Sequence, residues 1–175
     1  MILRPLQPSD KENRRRHGTH RSIVRNYGTN AGDHKWDQLE ADRWYSEARD
    51  RQHSAYWMIE HNGQLVGEAH LNLYNQAEGR ARYSIGLFTP AVQGLGIGTE
   101  VTRLVLAHYF DALNLHRVDA RSLAFNTAVI AMNTNCGFVM EGRERETCFI
   151  DGEWQDDLIM SILEQEYRSA SALWV

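Results

Sequence analysis

The chain has 175 residues, of which 42% are hydrophobic and 24% charged, and its formal net charge is −4. This length and composition are typical of one soluble folded domain with a substantial core. The mild negative charge argues against general nucleic-acid binding, and the sequence has no apolar run of about 18 residues that would predict a membrane span.

Cysteine and histidine content restricts the chemistry further. Cys136 and Cys148 form no Cys-x-x-Cys pair, and the N-terminal segment lacks the apolar stretch of a signal peptide. We therefore expect a reduced, cytoplasmic protein. Among the eight histidines, His17 and His20 share a helical spacing but have no further ligand close by, so no metal site is predicted.

The first quarter of the chain predicts one short strand followed by two helices. Ile2 to Leu6 is the strand, and Asp37 to Arg51 is the second helix, with Leu39, Trp44 and Ala48 facing the core. The segment between them from Lys11 to Arg25 is rich in arginine. We interpret it as a solvated helix face or, alternatively, as a contact for an acidic or phosphate-bearing partner.

The next segments predict an antiparallel meander. Ser54 to Glu60 and Gln64 to Tyr74 are strands joined by the turn His61-Asn62-Gly63, and a third strand ends at Phe88. Alternation in the second strand predicts two faces. One face carries Leu65, Gly67, Ala69, Leu71 and Leu73, and the other carries Val66, Glu68, His70, Asn72 and Tyr74.

The stretch after Phe88 contains three glycines at every second position, Gly94, Gly96 and Gly98, and leads into an apolar run that predicts a helix. Glycine tolerates positive φ and lets a ligand approach the backbone closely. Successive N–H groups and the positive end of the following helix can then bind an anion. The stretch therefore predicts a site for a phosphate or pyrophosphate.

Other phosphate-binding loops fit this stretch less well. It has no Gly-Lys-Ser/Thr ending, which a Walker A loop requires, and Thr99 replaces the third glycine of a dinucleotide fingerprint. On these residues alone, a purely structural glycine turn is the remaining alternative.

The second half of the chain predicts three more strands and a short helix. His116 to Leu123 is a strand, Thr127 to Asn135 a helix, and Phe138 to Ile150 and Glu153 to Leu163 are strands joined by Asp151-Gly152. The sheet is therefore mixed, with antiparallel arms around a strand–helix–strand unit.

Two motifs in this order resemble one family. The pattern Gln93-x-x-Gly96-x-Gly98 resembles the acyl-CoA pyrophosphate loop of the GNAT superfamily of N-acetyltransferases. The segment from Asn126 to Phe138, followed by Glu141-Gly142, is similar to the family's Asn-x-x-Ala/Val-Ile, Gly-Phe and Glu-Gly segment.

The end of the chain, from Ile150 to Met160, is similar to the branch that holds ribosomal-protein N-terminal acetyltransferases and spermidine acetyltransferases. The resemblance implies one domain over residues 1–175 with a mixed α/β fold. It would have a central mixed sheet of about seven strands, about four flanking helices and splayed middle strands.

The resemblance also implies a reaction and a cosubstrate, acetyl-CoA, with no metal. The acetyl group would pass directly to a primary amine in a ternary complex. Leu87 and Phe88 would pair with the pantetheine arm, and Asn126 would bind the pantetheine or orient the acceptor. The pyrophosphate would be bound by backbone N–H groups of Gln93, Gly94, Leu95, Gly96, Ile97, Gly98 and Thr99.

The candidates for proton transfer lie outside the residues expected to bind acetyl-CoA, except for Asn133. Glu68 and His70 are the candidate bases, because they share a strand face with Asn72 in the half of the fold that lines the acceptor cleft. A satisfied surface position is the alternative for each. Many relatives place a general-acid tyrosine where this chain has Asn133. An amide cannot give up a proton at neutral pH, but it can donate a hydrogen bond to the leaving sulfur.

The acceptor is the open question at this stage. A small amine is favoured, such as an amino sugar, polyamine, amino acid or aminoglycoside. A protein N-terminal α-amine is the first alternative. A non-catalytic acyl-CoA-binding sensor is the second, because Asn133 replaces the family's acid. No nucleic-acid or membrane partner is expected, and a homodimer through the terminal hairpin is a further expectation from the resemblance.

Overall fold

The computed structural model describes residues 1–50 and 55–174, which form one seven-stranded sheet with six α-helices. The strands are β1 (Ile2–Arg4), β2 (Tyr56–His61), β3 (Gln64–Asn75), β4 (Arg80–Leu87), β5 (Arg117–Leu123), β6 (Val139–Ile150) and β7 (Glu153–Leu163). The helices are α1 (Asp10–His17), α2 (Arg21–Val24), α3 (Gln38–Asp50), α4 (Ile97–Ala107), α5 (Thr127–Asn135) and α6 (Glu164–Ser171).

The sheet is mixed, with the strand order β1-β2-β3-β4-β5-β7-β6. All neighbours are antiparallel except β4 and β5, which are parallel. These two strands pair only where Arg80 to Arg82 face Arg117 to Asp119. Beyond this point they diverge and leave a slot in the middle of the sheet. The predicted mixed sheet and its splayed middle strands are confirmed.

The two faces of the sheet have different cores. The main core buries Leu71 of β3, Val101 of α4 and Ile162 of β7, together with Phe110 in the π-helical turn His108–Ala112 that extends α4. A smaller cluster of Met58, Leu65 and Phe88, with Trp44 of α3 packed against it, lies under the first helices. The slot in the sheet therefore has a core and a layer of helices on each side.

Both predicted hairpin turns are confirmed by their backbone. Asn62 and Gly63 have φ values of 51° and 73°, and Asp151 and Gly152 have values of 54° and 87°. Positive φ at both central residues is the geometry of a type I′ turn, whose twist matches that of the flanking strands.

The predicted burial of Leu39 is wrong, and so is the predicted face of Leu73. Leu39 is 67% exposed, because the buried stripe of α3 contains Ala41 and Ala48 and Leu39 lies on the opposite side of the helix. Leu73 is 69% exposed at φ 48°, at a break in the β3–β4 register that ends the alternation of faces.

Some element limits also differ from the prediction. The sequence reading missed α6, and the predicted strand and helix limits at Ser54 and Arg51 lie outside the described residues. The predicted helix after the glycines is α4, which ends at Ala107 and continues as the π-helical turn. Within the described ranges, no helix combines the length and apolar character needed to cross a membrane.

The main core makes a testable contribution to stability. Ile162→Ala is expected to lower the free energy of unfolding by about 2–5 kcal/mol, because Ile162 is completely buried and the change leaves a cavity. Urea denaturation measures this loss. Leu104→Ala, at a 47% exposed position of α4, is the control and should change stability by less than about 0.5 kcal/mol. Equal losses in the two variants would contradict this description of the core.

Candidate active site

The glycine stretch turns the chain from β4 into α4. Gly94 has φ 74°, and Gly96, the N-cap of α4, has φ 77°. Both conformations are left-handed and favour glycine. Gly98 lies inside the helix and is needed for packing instead, since a Cβ there would lie 2.8 Å from Sδ of Met132 on α5. An added Cβ at Gly94 or Gly96 would meet no atom within 4 Å, so there is open space beside the first turn of α4, where helix N–H groups have no partner within the helix.

A cavity of about 820 Å³ runs along the slot between β4 and β5. Every candidate site residue except Leu95 lines it, and the side chain of Leu95 is 60% exposed. The predicted residues in its wall are Glu68, His70, Leu87, Phe88, Gln93, Gly94, Gly96, Ile97, Gly98, Thr99, Asn126 and Asn133. The fold thus brings residues from widely separated parts of the sequence to one space.

The α5 side of the cavity contains the two asparagines. Asn126 is the N-cap of α5, and its Oδ1 accepts a hydrogen bond from the Val129 N–H at 3.4 Å. Asn133 is only 2% exposed, and its Nδ2 lies 3.8 Å from Sδ of Met160. The Asn133 Oδ1 accepts no hydrogen bond from the described residues. Both amides are therefore held in the wall, and Asn133 makes only a weak contact with sulfur.

Glu68 and His70 lie on the face of β3 opposite the main core, because Ala69 and Leu71, which alternate with them, are buried beneath α4. Across the strand pair, Glu68 faces Gly86 and His70 faces Ser84 of β4. This places both candidate bases beside the slot, on the face that carries α1 and α3.

Two aromatic residues fix the Glu68 carboxylate, and sequence reasoning did not identify them as its partners. The indole Nε1 of Trp44 donates to Oε2 of Glu68 at 3.2 Å, and the Tyr56 hydroxyl donates to the same oxygen. The Tyr56 ring stacks on the His70 ring with a centroid distance of 5.4 Å. The second carboxylate oxygen, Oε1, takes part in none of these bonds. Its position is set by the two hydrogen bonds that hold Oε2.

Arg14 of α1 also enters the cavity wall, and the sequence reading missed it. Its guanidinium carbon lies 3.8 Å from the ring centroid of Trp36 and 4.4 Å from that of Phe88. Burial lowers the pKa of Arg14 to about 10, so it is cationic at neutral pH. A solvated helix face describes Arg16, whose side chain is 70% exposed, but it is wrong for Arg14.

Arg14 shares one face of α1 with two other polar residues that are turned inward. Asp10 is fully buried, Arg14 lines the cavity, and His17 is half-buried with Nε2 2.6 Å from the carbonyl oxygen of Leu65. These three residues are four and three positions apart, which is the spacing of one helix face. The inward face of α1 is therefore polar, and a search for apolar periodicity does not detect it.

Tyr27 reaches the slot from the turn after α2. Its hydroxyl donates to the Ile85 carbonyl of β4 at 3.2 Å. A Cβ on Gly86 would lie 2.7 Å from that hydroxyl, so the glycine makes room for it. The ring is largely exposed, but desolvation around the hydroxyl raises the pKa of Tyr27 to about 12 and keeps it protonated.

A family model for an acetyltransferase (GNAT) domain matches residues 1–139. The chain belongs to the GNAT acetyltransferase family. The family expectation drawn from the glycine stretch and the segment after Asn126 is thereby confirmed. The match covers the described strands from β1 to β5 and the cavity wall they form, including the glycine stretch and both candidate bases.

Relatives of this GNAT chain act on different acceptors. A spermidine N(1)-acetyltransferase of Vibrio cholerae is 32% identical over 107 residues, which are 61% of this chain and 61% of the relative. A putative ribosomal N-acetyltransferase of Bacillus subtilis is 26% identical over 108 residues, which are 62% of this chain and 58% of the relative. Each match spans about three fifths of the relative's length.

The fold extends this likeness over nearly the whole chain. The crystal structure of a spermidine N-acetyltransferase from Vibrio cholerae in complex with CoA and spermine superposes with a TM-score of 0.80. The two are 25% identical, and the match covers 95% of this chain and 97% of the other. The GNAT domain here therefore shares its architecture with an enzyme crystallised with both a cofactor and an amine.

Possible metal ligands and the cysteine thiols are the remaining reactive groups of this GNAT domain. In residues 1–50 and 55–174, no group of three or more His, Cys, Asp or Glu side chains is arranged to bind a metal ion. Cys136 is completely buried, and burial raises the pKa of its thiol to about 11. A thiol in this state is a poor nucleophile at neutral pH.

This difference between the cysteines can be tested with a thiol reagent at pH 8. Cys148 is partly exposed and should react first, whereas Cys136 should react only when the protein unfolds. We expect at most one fast-reacting thiol in the native protein and two in denaturant. Cys148→Ser should remove the fast phase, and rapid labelling of Cys136 in that variant would contradict its burial.

Proposed function

We propose that this GNAT protein transfers an acetyl group from acetyl-CoA to the primary amine of a small molecule, by direct attack within a ternary complex. The observation that carries the proposal is the single cavity through the sheet. It joins the glycine stretch before α4 to Glu68 and His70 on the opposite face. The relative crystallised with CoA and spermine, which has the same architecture, supports this choice of reaction.

The glycine side of the cavity suits the cofactor. Helix N-termini bind anions through free N–H groups and the helix dipole, and the open space at Gly94 and Gly96 lets a pyrophosphate approach the backbone. From Tyr83 to Leu87, β4 has no pairing with β5, so this stretch offers backbone groups to a pantetheine arm. An N–H placed there would also stabilise the oxyanion formed from the thioester carbonyl.

The Glu68 side suits the amine. A lysine-like amine is neutral in only about one molecule in 2,500 at pH 7, so the site must both attract an ammonium and remove its proton. Glu68, held by Trp44 and Tyr56, provides the negative charge. We assign deprotonation to Glu68 and His70, acting directly or through water.

The leaving thiolate needs little help from the protein. The thiol of coenzyme A resembles that of cysteine, whose pKa is about 8.5, so it departs largely as a thiolate. In this mechanism Asn133 donates a hydrogen bond from Nδ2 to the sulfur, which replaces its weak contact with Met160. The absence of a tyrosine at this position is therefore compatible with turnover.

The test is thiol release from acetyl-CoA with a panel of amines: polyamines, amino sugars, aminoglycosides, amino acids and peptides with free N-termini. We expect turnover with a small-molecule class. Glu68→Gln should lower kcat/KM by about 10²- to 10⁴-fold without weakening CoA binding. Glu78→Gln, at an exposed turn position, is the control and should have no effect.

The alternatives give different results in the same assay. Turnover restricted to peptides would favour a protein N-terminal acceptor. Tight CoA binding with no turnover across the panel would mean a non-catalytic sensor. Full activity in Glu68→Gln would remove Glu68 from the mechanism.

The cofactor loop has a matched control within the chain. Gly96 and Gly63 have φ values of 77° and 73°, and in both cases a Cβ would meet no atom within 4 Å. Alanine at either position therefore imposes a similar backbone strain of about 1–2 kcal/mol. Gly96→Ala should weaken CoA binding about tenfold by calorimetry, whereas Gly63→Ala should leave it unchanged. Equal affinities in the two variants would place the pyrophosphate elsewhere.

A further inference from the structure

Arg14 is a partly buried cation that the proposed reaction does not use. No carboxylate of the described residues lies within ion-pairing distance of its guanidinium, although most arginines in the structure have such a partner. Its Nη1 donates to the Gly18 carbonyl at 2.5 Å, and its buried Nε donates to no described residue. A charge in this position is costly unless something pairs with it.

Aromatic rings hold the guanidinium of Arg14 in the cavity wall. Trp36 and Phe88 lie against it, and these contacts fix its orientation. Gly18 takes Nη1 and Nε is enclosed by protein atoms, so Nη2 is the donor of this planar fork that is left for a ligand. A guanidinium N–H forms a strong, charge-assisted hydrogen bond with a carboxylate.

The cavity wall carries more positive than negative charge. The described residues in the wall include three arginines, Arg14, Arg82 and Arg121, and one carboxylate, that of Glu68. Glu144 neutralises Arg121, with Nη1 and Oε2 2.6 Å apart. Arg14 and Arg82 have no such partner among the described residues. An acceptor with several positive charges would add to this excess.

We propose that the acceptor is a zwitterion of the amino-acid type, whose amine lies at Glu68 and whose carboxylate pairs with Arg14. This inference rests on the proposed acetyl transfer. Glu68 and Arg14 have opposite charges and line the same cavity, and the Glu68 charge acts to raise the pKa of Arg14, but the two groups are not within ion-pairing distance. Each is therefore available to one end of a zwitterion. A polyamine offers nothing for Arg14 to bind.

Matched substrates test this by removing the carboxylate charge. Thiol release would be measured with a series of α-amino acids, with the amide of each one, and with spermidine. We expect at least one amino acid to have a kcat/KM about tenfold or more above that of its amide and of spermidine. The amide has the less basic amine, so deprotonation alone would favour the opposite order.

Substitutions in α1 test whether Arg14 causes the preference for the amino acid over its amide. Arg14→Met should raise the KM for the amino acid and lower its kcat/KM about 10- to 100-fold, abolishing the preference over the amide while the KM for acetyl-CoA stays unchanged. Arg14→Lys keeps the charge without the fork and should fall between. Arg16→Met, at the exposed position of the same helix, is the control and should match the parent. Melting temperatures verify that each variant is folded.

Several results would overturn the inference. Amides or spermidine turned over as well as the amino acids would do so, and so would an Arg14→Met effect confined to the KM for acetyl-CoA. If no amine is acetylated, the proposed function fails, and calorimetry with the same amino acids and CoA-saturated protein then decides the inference. Carboxylate-dependent binding that is lost in Arg14→Met supports it, and no binding of any amino acid overturns it.

Discussion

The short parallel pairing of β4 and β5 is the constraint on which the rest of the structure depends. Only three residues of each strand are in register, and each strand continues with its other neighbour, β3 or β7, along most of its length. Both strands are therefore rigid where they separate. The slot is an opening between two supported edges, and no partner strand takes the backbone groups along it, although Tyr27 occupies the Ile85 carbonyl.

The two faces of the slot are stabilised by different interactions. On the α4 side, apolar residues such as Val101 and Ile162 pack densely, and Gly98 lets α5 approach closely. On the α1 side, buried polar groups must find partners: Arg4 pairs with the buried Asp10, and Trp44 supports Glu68. The α4 side of the slot is thus apolar and densely packed, and the α1 side is polar, with side chains fixed by hydrogen bonds. In the proposed reaction, this division would give one face the cofactor site and the other the acceptor site.

Sequence patterns predicted the parts of this arrangement that depend on local chemistry. The hairpins at Asn62-Gly63 and Asp151-Gly152, the glycine stretch and the mixed sheet all follow from residue type and spacing. Burial of Arg14 does not, because it depends on two rings that reach it from a distant loop and from the end of β4. The exposure of Leu73 could not be predicted either, because the break in the β3–β4 register depends on how the two strands pair and not on the local sequence. The candidate site was found where one segment supplies it and missed where several segments meet.

The position of the slot also bears on the order in which two substrates bind. One cavity reaches the glycine stretch under α4 on one face of the sheet and Glu68 on the other. In the proposed reaction, two molecules that meet in this cavity would arrive from opposite sides, and neither would block the route of the other. This arrangement would not by itself impose an order of addition, and an acetylated product would be able to depart while coenzyme A is still bound. The sheet would then act as a partition, and the proposed transfer would take place within its thickness.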